Sequence, residues 1–420
     1  MSKIQFFMDR TIIDTLPDTL VSTMKSQGLI IQGSLKIHFC GFVSYREGIA
    51  VFLPRKHNCI SKQELYRASH YLMQALHRYY ADKETSILDE DGDTIIGGQS
   101  LALIGQLFDD YVANGLYVRR TTERSKHSGK INWFRTIVRS TCYPSKGKPV
   151  YLDLETSRTR YMANCETAKI HARVLREIYK HYGLLWFGEH QYIKEKLKLI
   201  ASPQGDIEVQ LSHLKNELSL SYSDRDMVLI NTLIQYLQFV KGDLAQKFVM
   251  GTNKFHHIWE SMLCETLPNV YPINRQLPIP VYQTEGGHFV PMAQKGQRTD
   301  IFLKSPCGLH FAIVDAKYYD ASSPATAPGW PDLVKQFFYR DAVKSVVGED
   351  AQITNHFIFP GTEQKLKTVH VARRGMSVID ESDFLASYPA IQCHYQDPIE
   401  LLEKYIRFEK LTVLGDILLS

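Results

Sequence analysis

The chain has 420 residues, 44% hydrophobic and 22% charged, which supplies apolar material for two or three cored domains and rules out wholesale disorder. Its 49 Lys and Arg against 45 Asp and Glu give a formal charge of +4, a mild excess that neither demands nor excludes nucleic acid, so the placement of charge carries the information. No apolar run approaches the ~18–20 residues of a spanning helix, and the pair Asp9-Arg10 interrupts any apolar leader, so no membrane association is expected. Seven scattered cysteines without a C-x-x-C pair speak against a disulfide scaffold or a structural zinc site and fit a reducing cytoplasm.

In chain order, residues 35–39 and 49–54 read as strands joined by a polar turn around Arg46-Glu47-Gly48. Ser61 followed by Glu64 has the form of a capping box and opens a helix to about residue 80. Residues 82–93 are acidic and polar and read as an exposed connection. A second helix, 99–114, carries Leu101, Leu103, Ile104, Leu107, Phe108 and Tyr111 on one stripe. Residues 118–148 are the most basic stretch, nine Lys or Arg against the single Glu123, with Trp133, Phe134 and Tyr143 interleaved. Arg119, Arg120, Lys130, Arg135 and Arg139 are its candidate contacts, either to a nucleic-acid backbone or to an acidic face of a partner; a solvated charged surface is the plain alternative. Trp133 reads as a packing residue rather than a base-stacking one. Residues 165–245 are mainly helical, with a polar break at Pro203-Gln204-Gly205-Asp206, and beyond residue 246 the pattern becomes helix, strands, helix, strand. This sets three segments: 1–117, an α+β region with short strands and two helices; 118–245, basic and helical; and 246–420, a mixed sheet flanked by helices. The main boundary falls near residue 245.

The chemistry-bearing residues lie in the last segment. Arg298-Thr299-Asp300-Ile301-Phe302-Leu303-Lys304 reads as a strand with Asp300 at its start, Ser305-Pro306-Cys307-Gly308 as a turn, and Leu309–Val314 as an apolar central strand running into Asp315-Ala316-Lys317. Antiparallel pairing across that turn brings Asp300 and Asp315 together at one sheet edge, and Lys317 shares the face of Asp315 because side chains alternate. Two converging carboxylates and a lysine suit metal-assisted phosphodiester cleavage: Mg²⁺ takes hard oxygen ligands beside a substrate phosphate, and the amine orients or deprotonates the attacking water and offsets developing charge. Before these strands Phe255, Ile258, Trp259, Met262 and Leu263 mark a helix that carries Glu260 toward the site; after them Pro331 opens a helix carrying Gln336. A strand over 353–360 follows. His256-His257 do not face one way on a helix and read as packing and surface residues.

That order of elements resembles the PD-(D/E)XK nuclease core. More narrowly, Gly129-Lys130-Ile131-Asn132-Trp133-Phe134-Arg135, Pro149-Val150-Tyr151 and Lys335-Gln336-Phe337-Phe338-Tyr339, together with the Asp300, Asp315 and Lys317 strands and the Glu260 helix, resemble the LlaJI-type restriction endonucleases, relatives of the McrC nuclease subunit, over roughly residues 35–410. Arg298-Thr299 stand where the superfamily carries its name-giving proline. The resemblance implies an α/β multidomain nuclease subunit of a bacterial restriction system that cuts DNA. Asp300 and Asp315, with Glu260, would hold Mg²⁺ (Mn²⁺ expected to substitute), and Lys317, Gln336 and Glu260 would serve catalysis. It also implies a separate McrB-like AAA+ NTPase partner, engaged by the region before residue 245, and cytosine methyltransferases in the same system. The chain itself has no G-x-x-x-x-G-K-[ST] loop and is expected to bind no nucleotide that way. A methyl-directed subunit, a standalone repair nuclease and a non-catalytic motor regulator are the alternatives.

Overall fold

The computed structural model describes residues 3–85, 96–188, 195–241, 249–293, 296–374 and 380–420. The expected connection at 82–93 and the boundary near residue 245 lie for the most part outside these residues. The described chain divides into two compact units, one drawn from 99–184 and 190–246 and the other from 2–98, 185–189 and 247–420. This differs from the three consecutive segments read from the sequence, because the chain beyond residue 246 returns to pair with its N-terminal strands.

The chain opens with strand β1 (Lys3–Met8), helix α1 (Asp18–Ser26), strands β2 (Cys40–Tyr45) and β3 (Gly48–Leu53), and helix α2 (Lys62–Thr85). The first expected strand, 35–39, is displaced: Lys36 makes only an isolated bridge to Ile12, and the regular strand starts at Cys40. The register Tyr45↔Gly48 leaves only Arg46-Glu47 as the turn, so the ladder is built from the residues that immediately precede it. Leu20 and Met24 of α1 pack with Phe39, Val43 and Phe52 on one face of this sheet. The capping box at the start of α2 is formed: Glu64 N donates to Ser61 Oγ at 3.2 Å and Ser61 N to Glu64 Oε2 at 2.9 Å.

The other unit holds α3 (Gly98–Asn114), β4 (Arg119–Lys126), β5 (Lys130–Ile131), α4 (Trp133–Arg139), the hairpin β6 (Cys142–Ser145) and β7 (Lys148–Tyr151), β8 (Glu155–Met162), most of α5 (Glu166–Phe187), and α6 (Glu195–Leu199), α7 (Ile207–Ser219) and α8 (Asp224–Lys241). The polar break before α7 ends in Asp206, whose carboxylate caps the helix by accepting Val209 N–H at 3.0 Å. In α4 Thr136 alone is buried, leaving Trp133 56% and Phe134 78% exposed. Trp133 is therefore no core residue, contrary to the expectation: a seven-residue helix buries one narrow side, and Thr136 occupies it by bonding the backbone of Glu155. Arg119 is tied to Glu217 at 3.1 Å, whereas Arg120, Lys130 and Arg139 are exposed.

The chain then returns to the first unit as β9 (Val249–Thr252), which pairs antiparallel with β2 and extends the sheet to the order β1-β3-β2-β9. Residues about 200 positions apart thus share one sheet, and this pairing joins the N-terminal region to the C-terminal one. Helix α9 (Phe255–Thr266) comes next, then a short exposed hairpin, β10 (Val281–Gln283) and β11 (Phe289–Pro291). The remaining strands, β12 (Ile301–Lys304), β13 (His310–Ala316), β14 (Gln352–Pro360), β15 (Thr368–Val369) and β16 (Ile391–Gln396), form a second sheet in the order β12-β13-β14-β16-β15. Helix α10 (Trp330–Val347) makes the crossover from β13 to the parallel β14, and α11 (Pro398–Ile406) and α12 (Thr412–Leu418) close the chain. Among the described residues no helix is long and apolar enough to cross a membrane.

Gly41 and Gly251 face each other across the β2–β9 pair, and a Cβ on Gly251, whose φ is +156°, would stand 2.3 Å from the Cys40 carbonyl oxygen. Gly251→Ala is expected to cost at least ~1–3 kcal/mol of stability, read as a lower urea midpoint; an unchanged midpoint would show that this pairing tolerates the side chain.

Candidate active site

In β12 and β13, Phe302 opposes Ile313, and both side chains enter one apolar cluster with Ala342 and Val343 of α10. Two residues further along each strand, the same face carries Asp300 and Asp315, which are therefore opposite one another at the sheet edge. Lys317 follows on that face, beneath α10. The apolar side chains thus fix a register that sets two carboxylates side by side.

Asp315 is 6% exposed and its carboxylate is satisfied by two donors: Lys317 Nζ at 3.1 Å from Oδ1, and Gln336 Nε2 at 3.0 Å from Oδ2. Gln336 is wholly buried and is itself positioned by Asn355 of β14, whose amide donates to Gln336 Oε1 at 3.0 Å and to its backbone carbonyl at 2.9 Å. Lys317 Nζ has a second anionic partner, Asp332 Oδ1 at 2.8 Å, one turn before Gln336 on α10. Burial alone would pull the Lys317 pKa down, but Asp315 and Asp332 outweigh it and hold the amine firmly protonated. Lys317 thus stands between two carboxylates as a positive charge and hydrogen-bond donor.

Asp300 accepts a hydrogen bond from Ala316 N–H at 3.1 Å, which pulls its pKa down, yet burial, the neighbouring Asp315 and a hydrogen bond between the two carboxyl groups push it up to about 8. Like charges this close in a shielded edge cannot both ionise cheaply, and the cost falls on Asp300. Glu260, half-buried on α9, is raised as well, first by burial and then by Asp315, against the opposing pull of His257, Arg298 and Lys317. The Tyr339 hydroxyl is raised by burial and by the charges of Asp300 and Asp315.

All five residues expected at the site lie near this edge. Asp300, Asp315, Lys317 and Gln336 are directly bonded to one another through Asp315; Glu260 adds its charge at longer range. Among the described residues no three His, Cys, Asp or Glu side chains gather closely enough to enclose a metal ion. The aspartate pair itself fits a divalent cation, since two facing carboxyl groups present hard oxygens, and Mg²⁺ is commonly bound by one or two carboxylates while water and phosphate complete its shell. Asp332 and Asn355 are not expected from the sequence. An acid in the first turn of a helix has a sufficient local reason to be there, although the i, i+4 spacing to Gln336 places both on one face.

A model of the family described as "LlaJI restriction endonuclease" matches residues 39–379. No curated protein matches the chain. Among solved structures, a chain of the refined half-complex from the tetradecameric assembly of Thermococcus gammatolerans McrB AAA+ hexamers with bound McrC is similar at 12% identity and a TM-score of 0.40, over 99% of this chain and all of that one. A chain of the T. gammatolerans McrBC complex is similar at 10% identity and a TM-score of 0.28, over 62% of this chain and 86% of that one.

Because Asp300 holds its proton in the fold to about pH 8 but would lose it near pH 4 when unfolded, it lowers stability progressively as pH rises through that window. Asp300→Asn removes the titration. In EDTA it is expected to unfold at higher urea than the parent at pH 8, with the gap closing toward pH 4; midpoints that differ by a constant amount at every pH would exclude a raised Asp300 pKa.

Proposed function

The chain belongs to the LlaJI restriction endonuclease family, and we propose that it is the DNA-cutting subunit of a restriction system, acting by Mg²⁺-dependent phosphodiester hydrolysis on a PD-(D/E)XK core. The observation that carries the reading is the buried set in which Asp315 faces Asp300 while accepting from Lys317 and Gln336. The bound ion would lower the pKa of a coordinated water and offset charge on the scissile phosphate.

The rest is done by this chain's own side chains. Asp300, giving up its proton, and Asp315 would hold the ion, with Glu260 assisting from α9. Gln336, locked by Asn355, keeps the Asp315 carboxylate from rotating. Lys317 stays cationic between Asp315 and Asp332, and its third N–H can donate to the attacking water or to a phosphate oxygen as negative charge develops there. Preorganisation is the source of its value: an amine already fixed by two carboxylates needs no reorientation as charge builds up.

We further propose an AAA+ McrB-like partner, as the sequence resemblance implies, docked through the unit that contains α4. The four apolar residues Trp133, Phe134, Ile137 and Val138 exposed on that one short helix support this, interleaved as they are with basic Arg135 and Arg139.

Asp315→Asn and Lys317→Ala are each expected to lower Mg²⁺-dependent cleavage of plasmid DNA, assayed with the partner present, by at least about a hundredfold while circular dichroism stays that of the parent. Either variant cutting at the parental rate would remove the site assignment, and cutting that persists in EDTA would remove the metal.

A further inference from the structure

The unit that holds the site also contains a cleft of about 780 Å³ along the carboxyl edge of the second sheet. One wall is Asp320-Ala321-Ser322, just beyond Lys317, with Pro360-Gly361-Thr362 at the end of β14. The opposite wall comes from the N-terminal region: Arg10 after β1, Lys36 and His38 before β2, and residues 55–58 after β3. The cleft and the active site therefore open at the same end of parallel strands, where open α/β sheets bind ligands. Lys317 and Asp320 are three residues apart and at most ~11 Å distant.

The charges of the cleft do not cancel. Five Lys or Arg line it against three Asp or Glu, and each of the three acids is already engaged. Asp9 accepts Phe39 N–H at 3.1 Å, Asp320 pairs with Lys56 at 2.7 Å, and Glu363 pairs with Lys365. Lys36 and Arg55 have no ion pair among the described residues. Two guanidinium groups also keep an unused donor: Arg10 Nε and Arg55 Nε are buried without a hydrogen bond, Asp9 Oδ2 standing 3.6 Å from the former. Neither Nε is reachable from the cleft, so what these side chains offer a ligand is their positive charge. The backbone agrees. Arg10 and Lys56 both adopt left-handed φ, +71° and +65°, a conformation uncommon for such residues that persists where surroundings impose it.

Arg55 also connects the cleft to the catalytic strand. Its Nη2 donates to the Tyr318 carbonyl at 2.7 Å, its backbone N–H donates to the Tyr318 hydroxyl at 2.9 Å, and its guanidinium lies 4.8 Å above the Tyr318 ring. Tyr318 directly follows Lys317. A strand whose scissile phosphate sits at Lys317 would carry its next phosphates into the cleft, since successive nucleotides advance by only ~3.4 Å per step.

We infer that this cleft, built by the N-terminal region, holds the phosphodiester backbone of the DNA strand flanking the scissile bond, with Arg10, Lys36 and Arg55 as its phosphate contacts. The inference rests on the proposed nuclease activity and extends it. It assigns the N-terminal region a direct part in gripping substrate.

The test is fluorescence anisotropy of a short labelled DNA duplex with the full chain in EDTA, over a salt series, for the parent, Lys36→Glu, Arg55→Ala and Asp315→Asn. Lys36 is exposed, so its reversal leaves the fold intact and keeps the proposal testable should Arg55→Ala unfold. Lys36→Glu is expected to weaken binding about tenfold and to flatten the salt slope by about one, the loss of one phosphate contact. Asp315→Asn is expected to bind as the parent does and not to cut. Parental affinity and slope in Lys36→Glu would overturn the cleft assignment while leaving the nuclease standing, provided Asp315→Asn is inactive. Binding of inorganic phosphate or a nucleoside triphosphate to the parent but not to Lys36→Glu, with the duplex neither displaced nor weakened, would also overturn it, marking the cleft as a small-anion site.

Discussion

The organisation of the candidate active edge depends on a single buried carboxylate. Asp315 lies at the end of an apolar strand, 6% exposed, where an unpaired charge would cost far more than a typical fold can spare. Its solution is a set of short bonds that leaves neither oxygen free, one to Lys317 and one to Gln336. Those partners are held in turn by Asp332 and Asn355. Each member is therefore fixed by another, so that the rotamers around Asp315 are set in advance. Such preorganisation is what electrostatic catalysis needs, because donors that are already oriented spend no free energy turning toward the charge that develops.

Asp300 plays the opposite part. It is the group the fold leaves electrostatically dissatisfied, with a raised pKa caused by its burial and by the facing Asp315. A tightly satisfied carboxylate beside a strained one is a common signature of a functional edge, since the strain is relieved only when something positive enters. The sheet makes this pairing unavoidable: the apolar contact of Phe302 with the cluster around Ile313 sets the register, and a one-residue slip would bury Asp300's neighbour in its place.

A second organising element is Tyr318, 4% exposed, which stands between Lys317 and the N-terminal sheet. Its ring packs against Phe255 and Trp259 of α9, while its hydroxyl and carbonyl take hydrogen bonds from Arg55. Together with the β2–β9 pairing, this makes residues 2–98 part of the same body as the catalytic strands. The intervening chain forms its own unit, with exposed apolar residues on α4.

Much of the site is legible in the linear order of residues, because the interactions involved are local. Alternation along a strand puts Lys317 on the face of Asp315, a short turn between two strands puts Asp300 opposite Asp315, and capping chemistry marks Ser61. Helical spacing likewise yields α9 with Glu260 and α10 with Gln336. What only the tertiary structure decides involves partners distant in the chain. Asp332 locks Lys317 as a cation, and Asn355 locks Gln336. Strand β2 begins at Cys40 rather than at residue 35. Trp133 faces outward. Residues 249–252 complete a sheet begun near residue 3, which ties the N-terminal region to the active edge. The physical reason is that periodicity reports which face of an element is apolar, whereas the choice among possible partners for that face, and the neighbours of each buried charge, is settled by packing the whole chain at once.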